Sequence, residues 1–295
     1  MLPAVKMTSD TLKEGHRAMA LNSVNTNVGA MIALQNLSQT NSELGMVQNR
    51  INTGKKVNSA KDNGAIWAIA QNQRAEMGAL NAVKDSLQRG QSTVDVAMAA
   101  GESISDLLLQ MKEKALAATD ETLTSASRDA LAEDFDSIRD QITSVIDNAQ
   151  FNGANMLDGS LTGGYKALAA ADGSSTIDVA SEDMSLSGSI VTLGAADSIG
   201  TTTDASAALT AVDASIANVS AALARMGTSS KALGTHLTFV GKLQDSLEAG
   251  IGNLVDADLA KESARLTALQ TKQQLGVQAL SIANSSTSIL LGLFR

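Results

Sequence analysis

Proline occurs once in this chain, at Pro3, so from Val5 to Arg295 no residue forbids a long unbroken helix. The pattern uses that freedom. Between Leu80 and Ala118 the positions Leu80, Val83, Leu87, Gly90, Val94, Ala97, Gly101, Ile104, Leu108, Met111, Ala115 and Ala118 step alternately by three and four, and none is charged. That alternation is the seam of a coiled coil. Its small residues Gly90, Ala97 and Gly101 predict close approach of a neighbouring helix, at some cost in helix propensity. Aromatic residues make up only 2% of the chain, so the core must come from Ala, Val, Leu, Ile and Met. Such a core suits slender helix-on-helix packing.

A second seam runs through Leu131, Phe135, Ile138, Ile142, Val145 and Ala149, with Ser125 and Ser127 as expected N-caps, so the loop 120–124 closes a helical hairpin. A third extends from Leu209 to Leu254. A terminal helix over 255–295 follows in a register displaced by one residue at Gly250 to Asn253, with Val255, Leu259, Glu262, Leu266, Leu269, Gln273, Gly276 and Leu280 on its seam. On the other side, the Gly-, Asn- and Lys-bearing stretch 54–64 separates a helix over 19–53 from the long helix. Residues 156–204 are rich in Gly, Ser, Thr and Asp and lose helical periodicity; Thr176 to Ala180 and Leu186 to Leu193 alternate as strands that pair. The fold class is therefore mainly α: a long antiparallel helical hairpin or coiled-coil bundle, both termini at one end and a small β-containing or irregular segment at the tip. Its expected segments are 1–18, 19–53, 54–64, 65–155, 156–204, 205–254 and 255–295.

The helices nearest the two ends are unusual, since Met19 to Ser42 and Gln273 to Phe294 contain no charged side chain. A solvated helix normally carries Lys and Glu on its outer face, so both faces are expected to meet protein. A second apolar line through Leu275, Ala279, Ile282, Ile289 and Leu293 calls for more neighbours than one intramolecular partner supplies. Seam burial alone falls short of the backbone entropy of ordering the terminal helix. The ends are thus expected to be frayed in a lone chain and to order among copies.

Several functions are disfavoured. A net charge of −9 without basic clusters argues against nucleic acid or an anionic membrane surface. The most apolar window is read as 273–294, whose Gln, Asn, Ser and Thr do not suit a membrane span, and the first 18 residues lack the apolar core of a secretory signal. Without cysteine there is no disulfide or thiol chemistry. His236, beside Leu237 on the third seam, is read as a packing or surface residue, and no catalytic site, metal site or cofactor is expected.

Four stretches carry a resemblance. They are Met19-Ala20-Leu21-Asn22-Ser23-Val24-Asn25-Thr26-Asn27; the run from Arg50 to Gly64 that opens Arg50-Ile51-Asn52-Thr53-Gly54; Gln150-Phe151-Asn152-Gly153; and Leu290-Leu291-Gly292-Leu293-Phe294-Arg295. In order and spacing they resemble bacterial flagellin over roughly residues 19–155 and 205–295. The resemblance implies a structural subunit of an extracellular flagellar filament that works in motility. It implies a subunit exported unfolded through the flagellar type III apparatus, with an export chaperone and a filament cap as partners and its own copies as the polymer. The polymerisation core expected on that footing comprises Leu21, Val24, Val28, Leu37, Leu44, Ile51, Leu266, Leu269, Leu280, Leu290 and Phe294. Residues 1–18 precede the flagellin-like start and read as a start assigned too early, ahead of Met19. The patch Leu108-Leu109-Gln110-Met111-Lys112-Glu113-Lys114 lacks the first arginine of the stretch by which animal receptors recognise enteric-type flagellins. The Ser/Thr-rich 172–206 stretch is open to O-glycosylation. A hook-filament junction protein of the same family and, in a different class, a cytoplasmic coiled-coil adaptor are the competing readings.

Overall fold

The structure is a computed structural model that describes residues 26–292, with side chains up to Ser285. Helices α1 (Val28–Thr53), α2 (Gly64–Ala118) and α3 (Ser125–Asn148) come first. Four short strands follow, β1 (Gln150–Phe151), β2 (Ala154–Asn155), β3 (Tyr165–Leu168) and β4 (Thr176–Val179), and then α4 (Thr202–Val255) and α5 (Leu259–Gly292). The chain divides into two compact units, one made by the residues up to Asn72 together with those from Gly250 on, the other by Gln73–Ala249.

In the second unit every seam position named above for α2 is buried, including Gly90 and Gly101. On α4 the fully buried residues Val212, Val219, Met226, Leu233 and Val240 recur at every seventh position, the heptad step of a coiled-coil seam. The two helices run antiparallel: Asn81 Oδ1 accepts from Gln244 Nε2 at 2.7 Å, Ser230 Oγ donates to Asp95, and Lys112 pairs with Asp213 at 2.7 Å. Gly101 is required by this approach, because a Cβ there would meet Leu223 Cδ2 at 2.9 Å. Gly90 serves another neighbour. Its missing Cβ makes room for the Tyr165 ring of β3, whose Cε1 would lie 2.8 Å away, so this seam glycine admits a strand instead of the expected helix.

The hairpin from α2 to α3 closes as expected, with Lys114 bridging to Asp134 at 2.6 Å. Arg128 donates to the carbonyls of Ala118 and Asp120, which the end of α2 leaves without helical partners. The N-cap of α3 is Thr124, which accepts from the Ser127 amide, and not Ser125 or Ser127. Beyond α3, Asn152 and Gly153 adopt positive φ (51° and 80°) in a two-residue β1–β2 hairpin. Asn155, buried behind it, donates to the Ile146 carbonyl at 2.6 Å and ties the hairpin to the end of α3.

The middle segment lies against the helices of its unit. Leu168 N–H donates to Ser86 Oγ on α2, His236 Nε2 lies 2.8 Å from the Ala169 carbonyl, and Arg139 donates to the Asp197 carbonyl. The strand pairing differs from expectation: β4 pairs with β3, Tyr165 opposite Val179, while 186–193 forms no strand. The backbone donors of that loop are already taken, Ser187 N–H by Leu193 O and Thr192 N–H by Ser215 Oγ. Ile190, Val191 and Leu193 are buried together, so alternation of the sequence marked burial without a ladder.

The membrane reading needs one correction. By length and composition α4 is apolar enough to cross a membrane, and it is this helix, not 273–294, that is the apolar extreme of the described residues. Its heptad of buried Val, Met and Leu packs into the core of its own unit.

Candidate assembly surface

The first unit is built around the pair α1 and α5. Asn27 caps α1 by accepting from the Ala30 amide at 2.9 Å, so the helix begins at Val28 instead of running in from Met19. The same Asn27 side chain donates to the Ala283 carbonyl at 2.8 Å. Leu37 lies against Gly276, Asn41 Oδ1 accepts from Gln273 at 2.8 Å, and Arg50 reaches Glu262 at 3.1 Å. As one helix advances the other recedes, which defines an antiparallel pair. These contacts pair the two helices within a single chain.

The chain leaves α1 at Gly54, whose φ of 69° is the left-handed C-cap that only glycine adopts freely. It leaves α4 at Asp256 to Asp258. Both breaks are tied together: Lys56 N–H donates to Val255 O at 2.8 Å and Ala257 N–H to Gly54 O at 2.8 Å. Val57, Ala70, Ile251 and Val255 form a small core beside them, with Trp67 packed on it. The displaced register of the sequence therefore arises at Asp256 to Asp258, and α4 passes through Gly250 and Gly252 unbroken. Asp258 starts α5 afresh by accepting from the amides of Ala260 and Lys261. Leu259, the first residue of α5, stays exposed, contrary to its expected seam position. Asp62 organises the 58–63 turn by accepting from the Ser59 and Asn58 amides, and these backbone hydrogen bonds hold its carboxyl below the ordinary carboxylate value.

Seam residues occupy the facing sides of this pair. Thr40, Val47, Glu262 and Leu269 are buried, and Val28, Leu37, Leu44, Ile51, Leu266 and Leu280 are half-buried. Apart from Val28, which lines the outer groove with Met31 and Ile32, the expected core residues of the described part thus lie at or near the intramolecular seam. Leu21, Val24 and Phe294 lie outside the described residues, and of Leu290 only the backbone is described. Glu262 tolerates a seam position because Arg50 meets it, through one hydrogen bond; Arg50 Nε and Glu262 Oε2 are buried without partners of their own.

At about 100° per residue, the side of α1 opposite Leu37, Thr40 and Leu44 carries Met31 and Met46, with Ile32 and Leu34 on its two flanks. All four are exposed, Met31 by 63%. On α5 the side opposite Glu262, Leu269 and Leu280 carries Leu275 and Ile282, exposed by 60% and 64%. Both helices are therefore apolar on two sides, and a single chain covers one. The line through Leu275, Ala279 and Ile282 was legible in the sequence; the outer face of α1 was missed, although the same periodicity carried it. Among the described residues no three His, Cys, Asp or Glu side chains come together so as to hold a metal ion.

Comparison with known proteins adds the following. A family model described as the bacterial flagellin N-terminal helical region matches residues 24–162, and one described as the bacterial flagellin C-terminal helical region matches 209–294. The flagellin FljM of Caulobacter vibrioides is 61% identical over 277 residues, covering 94% of this chain and all of its own. A flagellin of Brucella melitensis is 37% identical over 281 residues, covering 92% of this chain and 99% of its own. A solved structure from Vibrio parahaemolyticus, described as a putative flagellar hook-associated protein, superposes with a TM-score of 0.54 at 18% identity over 66% of this chain and all of its own; that likeness is one of fold.

Proposed function

The chain belongs to the bacterial flagellin family and is a structural subunit of the extracellular flagellar filament, and on that premise we infer that the outer faces of α1 and α5 are what further copies of the chain cover. The observation carrying this reading is the exposed apolar set Met31 and Met46 on α1 and Leu275 and Ile282 on α5, each opposite a side already buried, with Ile32 and Leu34 exposed on the flanks of α1. The polymerisation core then has two layers. Leu37, Leu44, Ile51, Leu266, Leu269 and Leu280 hold the pair together within a subunit, and the outer residues join it to its neighbours. Leu21, Val24, Leu290 and Phe294 complete the proposed core on the ground of their sequence alone.

Delivery belongs to the same proposal. A chain that completes its burial only among copies is best moved unfolded, through the flagellar type III export apparatus, with a chaperone shielding the apolar faces and a cap at the growing tip. The subunit works as a building element, with no catalytic activity of its own. The test is seeded polymerisation of the purified chain, followed by sedimentation and electron microscopy, beside export in cells with and without the apparatus. Filaments and apparatus-dependent release are expected. Failure of the pure, folded chain to extend seeds at any concentration would overturn the assembly reading.

A further inference from the structure

The methionines are unequally placed. Met111, Met156, Met184 and Met226 are sealed at 0 to 1% exposure in the core of the second unit, and Met77 and Met98 are half-buried. Among the described residues only Met31 and Met46 are exposed, at 63% and 46%, and both stand on the side of α1 turned away from α5. The chain has no cysteine to intercept an oxidant. Accessible thioethers are then the readiest targets for a two-electron oxidant.

We propose that Met31 and Met46 make subunit assembly sensitive to peroxide: oxidised in the free chain they block its addition to a filament, and once covered by a neighbouring copy they are protected. Hydrogen peroxide transfers one oxygen atom to each sulfur, a new S–O bond forms as the O–O bond breaks, the sulfide becomes a sulfoxide, and the peroxide is reduced to water. The product puts a polar oxygen beside the apolar side chains of Ile32 and Leu34, in a groove that Gln35 and Gln39 also line. Burying it against another apolar surface is unfavourable. The inference rests on that face being the contact between copies.

The experiment treats the full chain with graded hydrogen peroxide, follows each methionine by peptide mass spectrometry, and measures the critical concentration for seeded growth. Met31 and Met46 are expected to oxidise before Met111, Met156, Met184 and Met226, and each sulfoxide to raise the critical concentration by about tenfold. The double variant Met31→Leu, Met46→Leu is expected to keep assembling after a dose that stops the parent chain. Methionine sulfoxide reductase should restore the parent, and filaments treated after assembly should keep both residues reduced. Normal growth by the oxidised parent, or loss of growth by the leucine variant in step with the parent, overturns the proposal. Should the leucine variant fail to assemble untreated, Met31→Gln and Met46→Gln decide as polar stand-ins for the sulfoxide, and normal growth by both overturns it. Failure of the untreated parent to grow would instead refute the assembly reading beneath it.

Discussion

Ile282→Asp separates folding of the subunit from its assembly. Ile282 is 64% exposed in the single chain, so only about a third of its side chain is covered, worth under about 1 kcal/mol of burial. An exposed aspartate on a helix surface costs little more, and the melting curve should shift by no more than such a surface change produces. In a filament the same position would lose about 1 to 2 kcal/mol of further apolar burial. It would also bury a carboxylate without a partner, at a cost of several kcal/mol. A combined penalty near 4 kcal/mol raises the critical concentration about a thousandfold. The assay is sedimentation of seeded polymer over a concentration series, with thermal unfolding of the unpolymerised chain by circular dichroism alongside. Growth of Ile282→Asp within about threefold of the parent, with melting unchanged, would refute the argument that this side of α5 is covered by another copy.

Other outcomes follow from the second unit and the linker. Phe135 is fully buried in the α2–α3 hairpin, so Phe135→Ala should cost about 3 to 5 kcal/mol in chemical denaturation. The ion pair between Glu182 and Arg225 is asymmetric, the first side chain 7% and the second 56% exposed, bonded twice at 2.6 and 2.7 Å. Arg225→Ala leaves a buried carboxylate alone and should destabilise by about 3 kcal/mol, while Glu182→Gln, which leaves the cation in water, should cost about 1; hydrogen exchange in 156–204 reads the difference. Gly90→Val should displace the Tyr165 ring and cost about 1 to 3 kcal/mol, detected as loss of protection in β3 and β4. Because the Asp62 carboxyl is held below its ordinary value, its stabilising contribution is present above the unfolded value and lost as pH falls through the folded one. Exchange at the Ser59 amide should therefore rise on acidification through the carboxylate range, and Asp62→Asn should show that faster exchange already at neutral pH.

The seams were legible because a heptad is a property of residue identity: Leu80 to Ala118 could be read in advance, and its positions are all buried. Breaks were harder. Gly250 and Gly252 drew attention as helix breakers, but a glycine costs a helix only about 1 kcal/mol, and α4 runs through both. The break falls at Asp256 to Asp258, fixed by hydrogen bonds to Gly54 and Lys56 some 200 residues away in the chain, which no local pattern records. The middle segment failed for a similar reason. At 186–193 the Thr192 amide is taken by Ser215 of a distant helix and the Ser187 amide by the Leu193 carbonyl, so alternation there did not become a strand. At the assembly surface the lack of charge on both helices was visible in residue identity, but not which side each turns to its partner within the chain. That choice is set by the pairing of Asn27 with Ala283, Asn41 with Gln273 and Arg50 with Glu262.

Those three contacts also explain why neutral helices need polar residues. An apolar stripe on each side of α1 would let it pair with α5 by either side, since burial itself has no direction. Asn27, Asn41 and Arg50 remove that degeneracy, because turning α1 over would strand the Arg50 charge and Glu262 on faces without partners, a loss of several kcal/mol. The outer sides, where Gln35 and Gln39 stand among the apolar residues of α1, are left for the contacts proposed between copies of the chain. Arg50→Leu should accordingly leave helix content near that of the parent yet loosen the choice of side, seen as faster exchange along 259–285 and as sedimenting material without regular filaments. Regular filaments from Arg50→Leu, with exchange unchanged, would show that the apolar stripes alone select the side on which α1 and α5 meet.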